Sequence, residues 1–260
     1  MVVKKHSISV CIIAKPYENI DKCLNSIKNQ IYSPKEIVVH RGIGRFSVLR
    51  NNALDKASGE IIVFIDSDCY SEKHWLEEIN YIFLDKSIIG FFGKVCYELN
   101  GNFPTAKTRV ISNDGNDTMT ANAGFRSDIL KRVRFDEDFN YLEDKILFKR
   151  MKKEGKIIYS NEAIVFHEYQ EWTFKKAINY AKKVEDFLKA DKKYGMPINR
   201  LGPLIYPQHI LIIFFPPILF LYHSIRGLKD LNILTAMYME KIYTRLLIWR
   251  YAIKNREFLF

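Results

Sequence analysis

Residues 61–75 read IIVFIDSDCYSEKHW. Ile61 to Ile65 form an unbroken apolar run, the length of a strand buried on both faces. The run ends on Asp66-Ser67-Asp68. Two carboxylates one residue apart repel each other and resist burial, so a positive group belongs beside them. A divalent cation is the plain candidate.

The sequence on either side supplies an α/β rhythm. SISVCIIA (7–14) and EIVV (36–39) read as strands, with Ile20, Cys23, Leu24 and Ile27 marking one face of a helix between them. RFSVLRNNALDKAS (45–58) reads as a helix stopped by Gly59, followed by the strand at 60–65. Ser71 is placed to cap a helix whose Trp75, Ile79, Ile82 and Phe83 face inward, and IIGFFGKVCYEL (88–99) is strand-like again. Such alternation with short connections predicts a mostly parallel sheet flanked by helices on both faces. Ligands of such sheets bind beyond the carboxyl ends of the strands, where Asp66 and Asp68 stand. GNFPTAKTRVISNDGNDTMT (101–120) reads as a long polar loop or flap. Beyond it come a helix near Ser127–Val133, a second from the Glu143-Asp144 pair to about Glu154, and strands at 156–159 and 163–166.

The chain has 260 residues, 48% of them hydrophobic, with twelve Gly and eight Pro, the composition of a folded chain with a full core and room for an appendage. Its opening, MVVKKHSISVCII, leads straight into a strand with no signal-peptide pattern. Cys11, Cys23, Cys69 and Cys96 are scattered, as reduced thiols of the cytosol are. The net charge is +10, and from Tyr169 onward fifteen Lys and Arg face seven Asp and Glu. That same third holds Leu201 to Ile225, 25 residues without a charge. A basic segment beside an uncharged apolar one fits a membrane surface and argues against nucleic acid.

Taken together, three stretches resemble glycosyltransferase family 2, the inverting nucleotide-sugar transferases of the GT-A (Rossmann-like) fold. They are SISVCIIAKPYENIDKCLNSIKNQ, LRNNALDKASGEIIVFIDSDC and ANAGFRSDILKRVRFDEDFNYLEDKILFKRMKKEGKIIYSNEAIVFHE, within roughly residues 7–170. D-x-D at a strand end, E-D at the head of a helix and V-x-H on a late strand, in that order, carry the likeness. It implies a nucleotide-sugar donor, UDP- or GDP-linked, and Mn²⁺ or Mg²⁺ as cofactor. Asp68 then ligates the metal, Asp66 reaches the ribose or the metal and its waters, and His167 is the third protein ligand of the metal. Asp144 is the general base, with Glu143 as the alternative. The helix dipole favours both acids at this position and lowers their pKa. Arg50 and Asn51 match an R-N element that approaches the diphosphate, or else they line a solvated helix face. Lys15 contacts phosphate or is solvated, and Asn122 lies on the substrate side.

The chain departs from the family's pattern at the second strand, which ends on His40 where an aspartate usually reads the base, followed by the short basic loop HRGIGRF. The expected layout is a catalytic domain at 1–170, an amphipathic linker helix at 171–200 and an apolar, basic membrane-associating tail at 201–260. In the linker Phe174, Ile178, Ala181, Val184 and Leu188 form one stripe. In the tail Pro216-Pro217 breaks the apolar run into pieces too short to span, which favours a bent or re-entrant hairpin or an element lying in the interface. The rival reading of the tail is an oligomer interface or a core helix packed on the catalytic domain. LNILTAMYMEKIYTRLLIWRYAIKNR then places Leu231, Leu234, Tyr238, Ile242, Leu246 and Trp249 on one face, with Lys241, Arg245 and Arg250 at headgroup level. The expectation is an enzyme at the cytoplasmic face of the cell membrane, using a sugar or lipid-linked acceptor. The rival readings are a sugar-nucleotide transferase, disfavoured because Ala14-Lys15-Pro16-Tyr17 has no glycine, and a non-catalytic membrane scaffold.

Overall fold

The computed structural model describes residues 5–97, 110–111, 119–168, 174–196, 221 and 231–255. They fall into two compact units, Met1–Glu98 with Thr108–Tyr169, and Leu99–Lys107 with Gln170–Phe260.

The first unit is an α/β/α sandwich. Its sheet runs β2 (Glu36–Arg41), β1 (Ile8–Ala14), β3 (Ile61–Asp66), β7 (Asn122–Arg126), β5 (Ile88–Tyr97), β8 (Lys156–His167), β4 (Cys69–Ser71), with β6 (Val110–Ile111) paired to β5. The continuous apolar runs exist because both faces of the sheet are covered. Ile61, Val63 and Ile65 point to one side, with Val10 and Ile12, under helices α1 (Asp21–Lys28) and α3 (Trp75–Ile82). Ile62 and Phe64 point to the other, under α2 (Phe46–Lys56), α4 (Ser127–Val133) and α5 (Glu143–Met151). Trp75, Ile79, Ile82 and Phe83 are buried, as their spacing predicts.

Two features correct the sequence reading. The sheet is mixed rather than mostly parallel: β1 pairs parallel with β2 and β3, and β5 with β8, but β7 lies antiparallel between β3 and β5. An antiparallel neighbour needs no crossover helix, whereas a parallel one usually does. Ser71 caps no helix. It lies in β4, where its backbone N–H donates to Ser26 Oγ and its hydroxyl accepts from Gln30 Nε2, at 3.0 and 3.1 Å, and α3 starts only at Trp75.

Asn122 is a third correction. Expected at the substrate, it is fully buried, 0% exposed. Between Gly93/Ser160 and Lys94/Ile164 the β5–β8 register shifts, so the ladder is interrupted. The Asn122 amide repairs it, donating to the carbonyls of Lys94 and Ala163 at 2.9 and 2.8 Å and accepting from Trp75 Nε1 at 2.9 Å. Gly93 has to be glycine here, because a Cβ would meet Ala163 O and Asn122 Nδ2 at 2.4 Å.

The second unit contains α6 (Phe174–Ala181), α7 (Lys183–Tyr194) and the long helix α8 (Leu231–Asn255). The expected stripe divides between α6 and α7, and Ala181, Val184 and Leu188 pack on Leu247 and Ile248 of α8. Gly195 ends α7 in the left-handed conformation, φ 56°, which a Cβ would resist. Arg245, expected at headgroup level, is instead only 4% exposed, and burial lowers the pKa of its guanidinium. The segment 201–220 with its Pro-Pro pair, and most of the polar loop at 101–120, lie outside the described residues.

Asn122→Ala leaves the Trp75 N–H and two buried carbonyls without their side-chain partner, so it is expected to cost about 3 kcal/mol of stability. Urea unfolding followed by far-UV circular dichroism measures this. A cost under about 0.5 kcal/mol is the scale of a surface substitution and would show that the bulge needs no such repair.

Candidate active site

Three pieces of backbone, the ends of β3 and β8 and the short β4, meet at the D-x-D motif. β3 itself delivers Asp66 as its last residue, and a two-residue turn brings Asp68 to the start of β4. β4 is only three residues long, yet it fixes the site. It pairs antiparallel with the end of β8, Cys69 opposite His167, and the Glu168 N–H donates to Asp68 O at 2.9 Å. The D-x-D turn is thereby held against the V-x-H histidine.

His167 Nε2 faces Asp68 Oδ1 at 3.5 Å. Its other nitrogen, Nδ1, lies 2.8 Å from the Glu168 carbonyl. A carbonyl only accepts, so Nδ1 carries a proton, and Nε2 is the nitrogen turned toward the carboxylate, offering its lone pair whenever the ring is neutral. Two lone-pair donors converging in this way, with the far ring nitrogen anchored by the backbone, fit a divalent cation. Asp68, Cys69 and His167 place one ligand atom each within 4.8 Å of one another. Cys69 is the poorest donor of the three, because burial, with Asp66 and Asp68 beside it, pushes its thiol well above the ordinary range. Burial also raises the Asp68 carboxyl, opposed by His167 and reinforced by Asp66.

Asp66 is engaged elsewhere. Arg50, on α2, donates from Nη2 to Asp66 Oδ1 at 3.3 Å and from Nη1 to Glu143 Oε1. Its guanidinium is buried, with Phe46 and Phe135 rings 5.6 and 5.8 Å away. Arg50 is therefore neither solvated nor open toward a phosphate: it bridges the D-x-D motif to the E-D pair. Nor does Asn51 face a ligand. Its amide clasps the 135–137 loop, donating to Phe135 O and Glu137 Oε1 at 3.0 and 2.8 Å and accepting from Phe135 N–H at 3.0 Å.

Asn51 belongs to a seam that the sequence reading missed. Ser47 Oγ donates to Phe139 O at 2.6 Å, Arg45 Nη1 to Glu137 O at 2.8 Å, and Phe46 N–H to Asn140 Oδ1 at 3.3 Å. This seam holds the 135–140 loop on α2 just before the acid pair. Leu142 then adopts a left-handed conformation, φ 64°, uncommon for a branched side chain, and α5 begins at Glu143. Leu142 is itself buried, which explains a leucine where glycine would be less strained. The sequence signal for the seam was Ser47, Arg50 and Asn51 standing among the apolar positions Leu49, Ala53 and Leu54 of the helical pattern.

Both acids are shifted upward, against the helix-dipole expectation. Burial raises Glu143 to about 7, with Arg50 pulling down and Asp144 pushing up. Burial likewise raises Asp144, opposed by Arg50 and by the Lys145 N–H, which donates to Asp144 Oδ1 at 2.7 Å. Desolvation outweighs the dipole because these carboxyls share one neighbouring guanidinium. Lys15 is exposed, beyond the carboxyl end of β1. Arg41 Nη1 donates to Lys15 O, Pro16 O and Glu18 O at 2.9, 3.4 and 2.9 Å, fastening that loop to the end of β2. His40 is held below its ordinary pKa by burial and by Lys56, which favours the neutral ring beside Asn52.

Residues 38–136 match the family model of Glycosyl transferase family 2. Asp66, Asp68, Arg50, Asn51 and Asn122 fall inside that match, whereas Lys15, Glu143, Asp144 and His167 fall outside it. No curated protein matches the chain. Among solved structures, residues 1–349 of S. aureus TarS align at 16% identity and a TM-score of 0.49, covering 92% of this chain and 91% of that one. The same fragment in complex with UDP-GlcNAc gives 18% and 0.48, over 68% and 66%. A further S. aureus TarS structure gives 17% and 0.47 over 68% of this chain, which spans only 39% of its length.

A carboxyl raised in the fold keeps a proton that the unfolded chain has already released. Its contribution to stability is therefore largest below the ordinary value of 4.5 and falls as pH rises toward about 7. Glu143→Gln should flatten the fall of stability between those values by up to about 1.4 kcal/mol per pH unit. Urea titrations at stepped pH in chelator measure this. An unchanged slope would show that Glu143 is ionised throughout.

Proposed function

We propose that this chain is a metal-assisted, inverting glycosyltransferase that moves a sugar from a nucleotide-diphosphate donor to a hydroxyl or phosphate acceptor. The observation that carries the reading is the convergence, at the end of β3, of Asp66, Asp68, Glu143 and Asp144 on one buried guanidinium and one imidazole. Carboxyls outnumber built-in cations at this place, and burial, with their mutual repulsion added to it, raises Asp68, Glu143 and Asp144. A site of this kind is completed by a cation. The similarity of residues 38–136 to glycosyltransferase family 2 supports the same chemistry.

Asp68 and His167 would hold Mn²⁺ or Mg²⁺, with Asp66 close enough to serve its waters or the ribose. When bound, the ion would offset the charge growing on the leaving diphosphate. The chain's own residues supply the rest. Arg50 fixes Asp66 and Glu143 in place, so Glu143 is occupied and Asp144 is the acid left to serve as base. The acceptor oxygen attacks the anomeric carbon from the face opposite the diphosphate, the bond to the diphosphate breaks, and the acceptor proton passes to Asp144. The raised pKa of Asp144 suits a base working near neutrality, because it strengthens the proton acceptor.

Two variants test this. Asp68→Asn should abolish the Mn²⁺-dependent part of nucleotide binding, read as thermal stabilisation by UDP or GDP with and without metal. Asp144→Asn should lower transfer by about 10² to 10⁴ while leaving donor affinity within about threefold. If Glu143→Gln is the inactive variant instead, the two acids exchange roles. If neither nucleotide stabilises the wild-type chain with metal and no nucleotide sugar is turned over, the chain is a scaffold and the reading fails.

A further inference from the structure

Helix α8 has two apolar faces, and among the described residues only one of them is covered. At 100° per residue, Leu247 and Ile248, with Tyr243 and Tyr251 beside them, turn toward Ala181, Val184 and Leu188 of the α6–α7 pair. Leu246, Trp249 and Ile253 project on the opposite side and are 50%, 49% and 79% exposed. Arg250 and Lys254, both exposed, border that strip along one edge. A helix with an aqueous outer face carries polar residues there. Three large apolar side chains over two consecutive turns need another surrounding.

We propose that this outer face of α8 docks on an anionic lipid bilayer, lying in its interface. Leu246, Trp249 and Ile253 would seat among the headgroups and upper acyl chains, and Arg250 and Lys254 would reach lipid phosphates. The composition is that of an interfacial helix, with an aromatic and aliphatic strip edged by basic residues on long stems. The charge agrees, since fifteen Lys and Arg against seven Asp and Glu in the last third attract an anionic surface. Among the described residues no helix is long and apolar enough to cross a membrane. A second copy fits the strip less well. A two-fold contact across it would bring Arg250 and Lys254 of each copy toward the same residues of the other, adding like-charge repulsion. The inference is independent of the proposed catalysis.

The test is flotation of the full chain with vesicles of phosphatidylcholine alone or mixed with phosphatidylglycerol. Wild type should float with the anionic vesicles, less so at high salt. The combined variant Leu246→Gln, Trp249→Gln, Ile253→Gln changes only exposed positions, and circular dichroism confirms its fold. Its binding should fall at least about tenfold. Arg250→Gln with Lys254→Gln should weaken binding to anionic vesicles by roughly tenfold and flatten its salt dependence. The proposal is overturned if wild type ignores anionic vesicles, or if the triple variant floats as well as wild type. It is equally overturned if sedimentation shows a wild-type dimer that the triple variant dissolves while flotation stays the same.

Discussion

One buried guanidinium organises the first unit's chemistry. Arg50 touches a carboxylate from the strand β3 and another from the helix α5, two elements far apart in the chain. An ion in that position is costly to bury alone, and so are its partners. Each is tolerable only because the others are there. The arrangement therefore specifies geometry more than it adds stability, and it leaves the site with more carboxyl groups than built-in cations.

The rest of the first unit serves that constraint. β3 is stiff and fully enclosed, so the position of Asp66 is set by the core. β4 is too short to be stable by itself and depends on its ladder with β8, which carries His167 into reach of Asp68. On the other side, the seam from Arg45 to Asn51 fastens the 135–140 loop before the chain turns through Leu142 into α5. Side chains that never face a ligand thus decide where the reactive ones stand. The Asn122 amide does the same inside the sheet, where it joins β5, β8 and α3 across a register shift.

Much of this was legible in the residues, and the remainder had identifiable reasons for being hidden. Ile61–Ile65 ending on Asp66 announces a strand by composition and a site by its charge, both local properties. The helical faces of Trp75, Ile79 and Phe83 follow from periodicity alone. The direction of β7 does not, because strand orientation depends on how the chain returns, and five residues carry no mark of it. Arg50 and Asn51 stand next to each other yet serve different partners, which only the packing of α2 decides. Likewise the pKa of Asp144 is raised by burial against the pull of Arg50 and the Lys145 N–H, whereas the sequence displays only its place in the first turn of a helix. Arg245 shows the same limit in the second unit, where the packing of α8 rather than its charge pattern determines which basic residue turns inward.

The Arg41 clip has a consequence for how a ligand would be received. A single guanidinium nitrogen gathers three main-chain carbonyls of residues 15–18, and Gly42 N–H adds a bond to Ala14 O at 3.1 Å. The loop after β1 and the start of the loop after β2 are therefore fastened into one lip rather than left as two independent segments. Their conformational entropy is surrendered when the chain folds, so an incoming molecule meets a lip already in shape and loses less affinity to ordering it. A rim of this sort favours selectivity for one shape over accommodation of many.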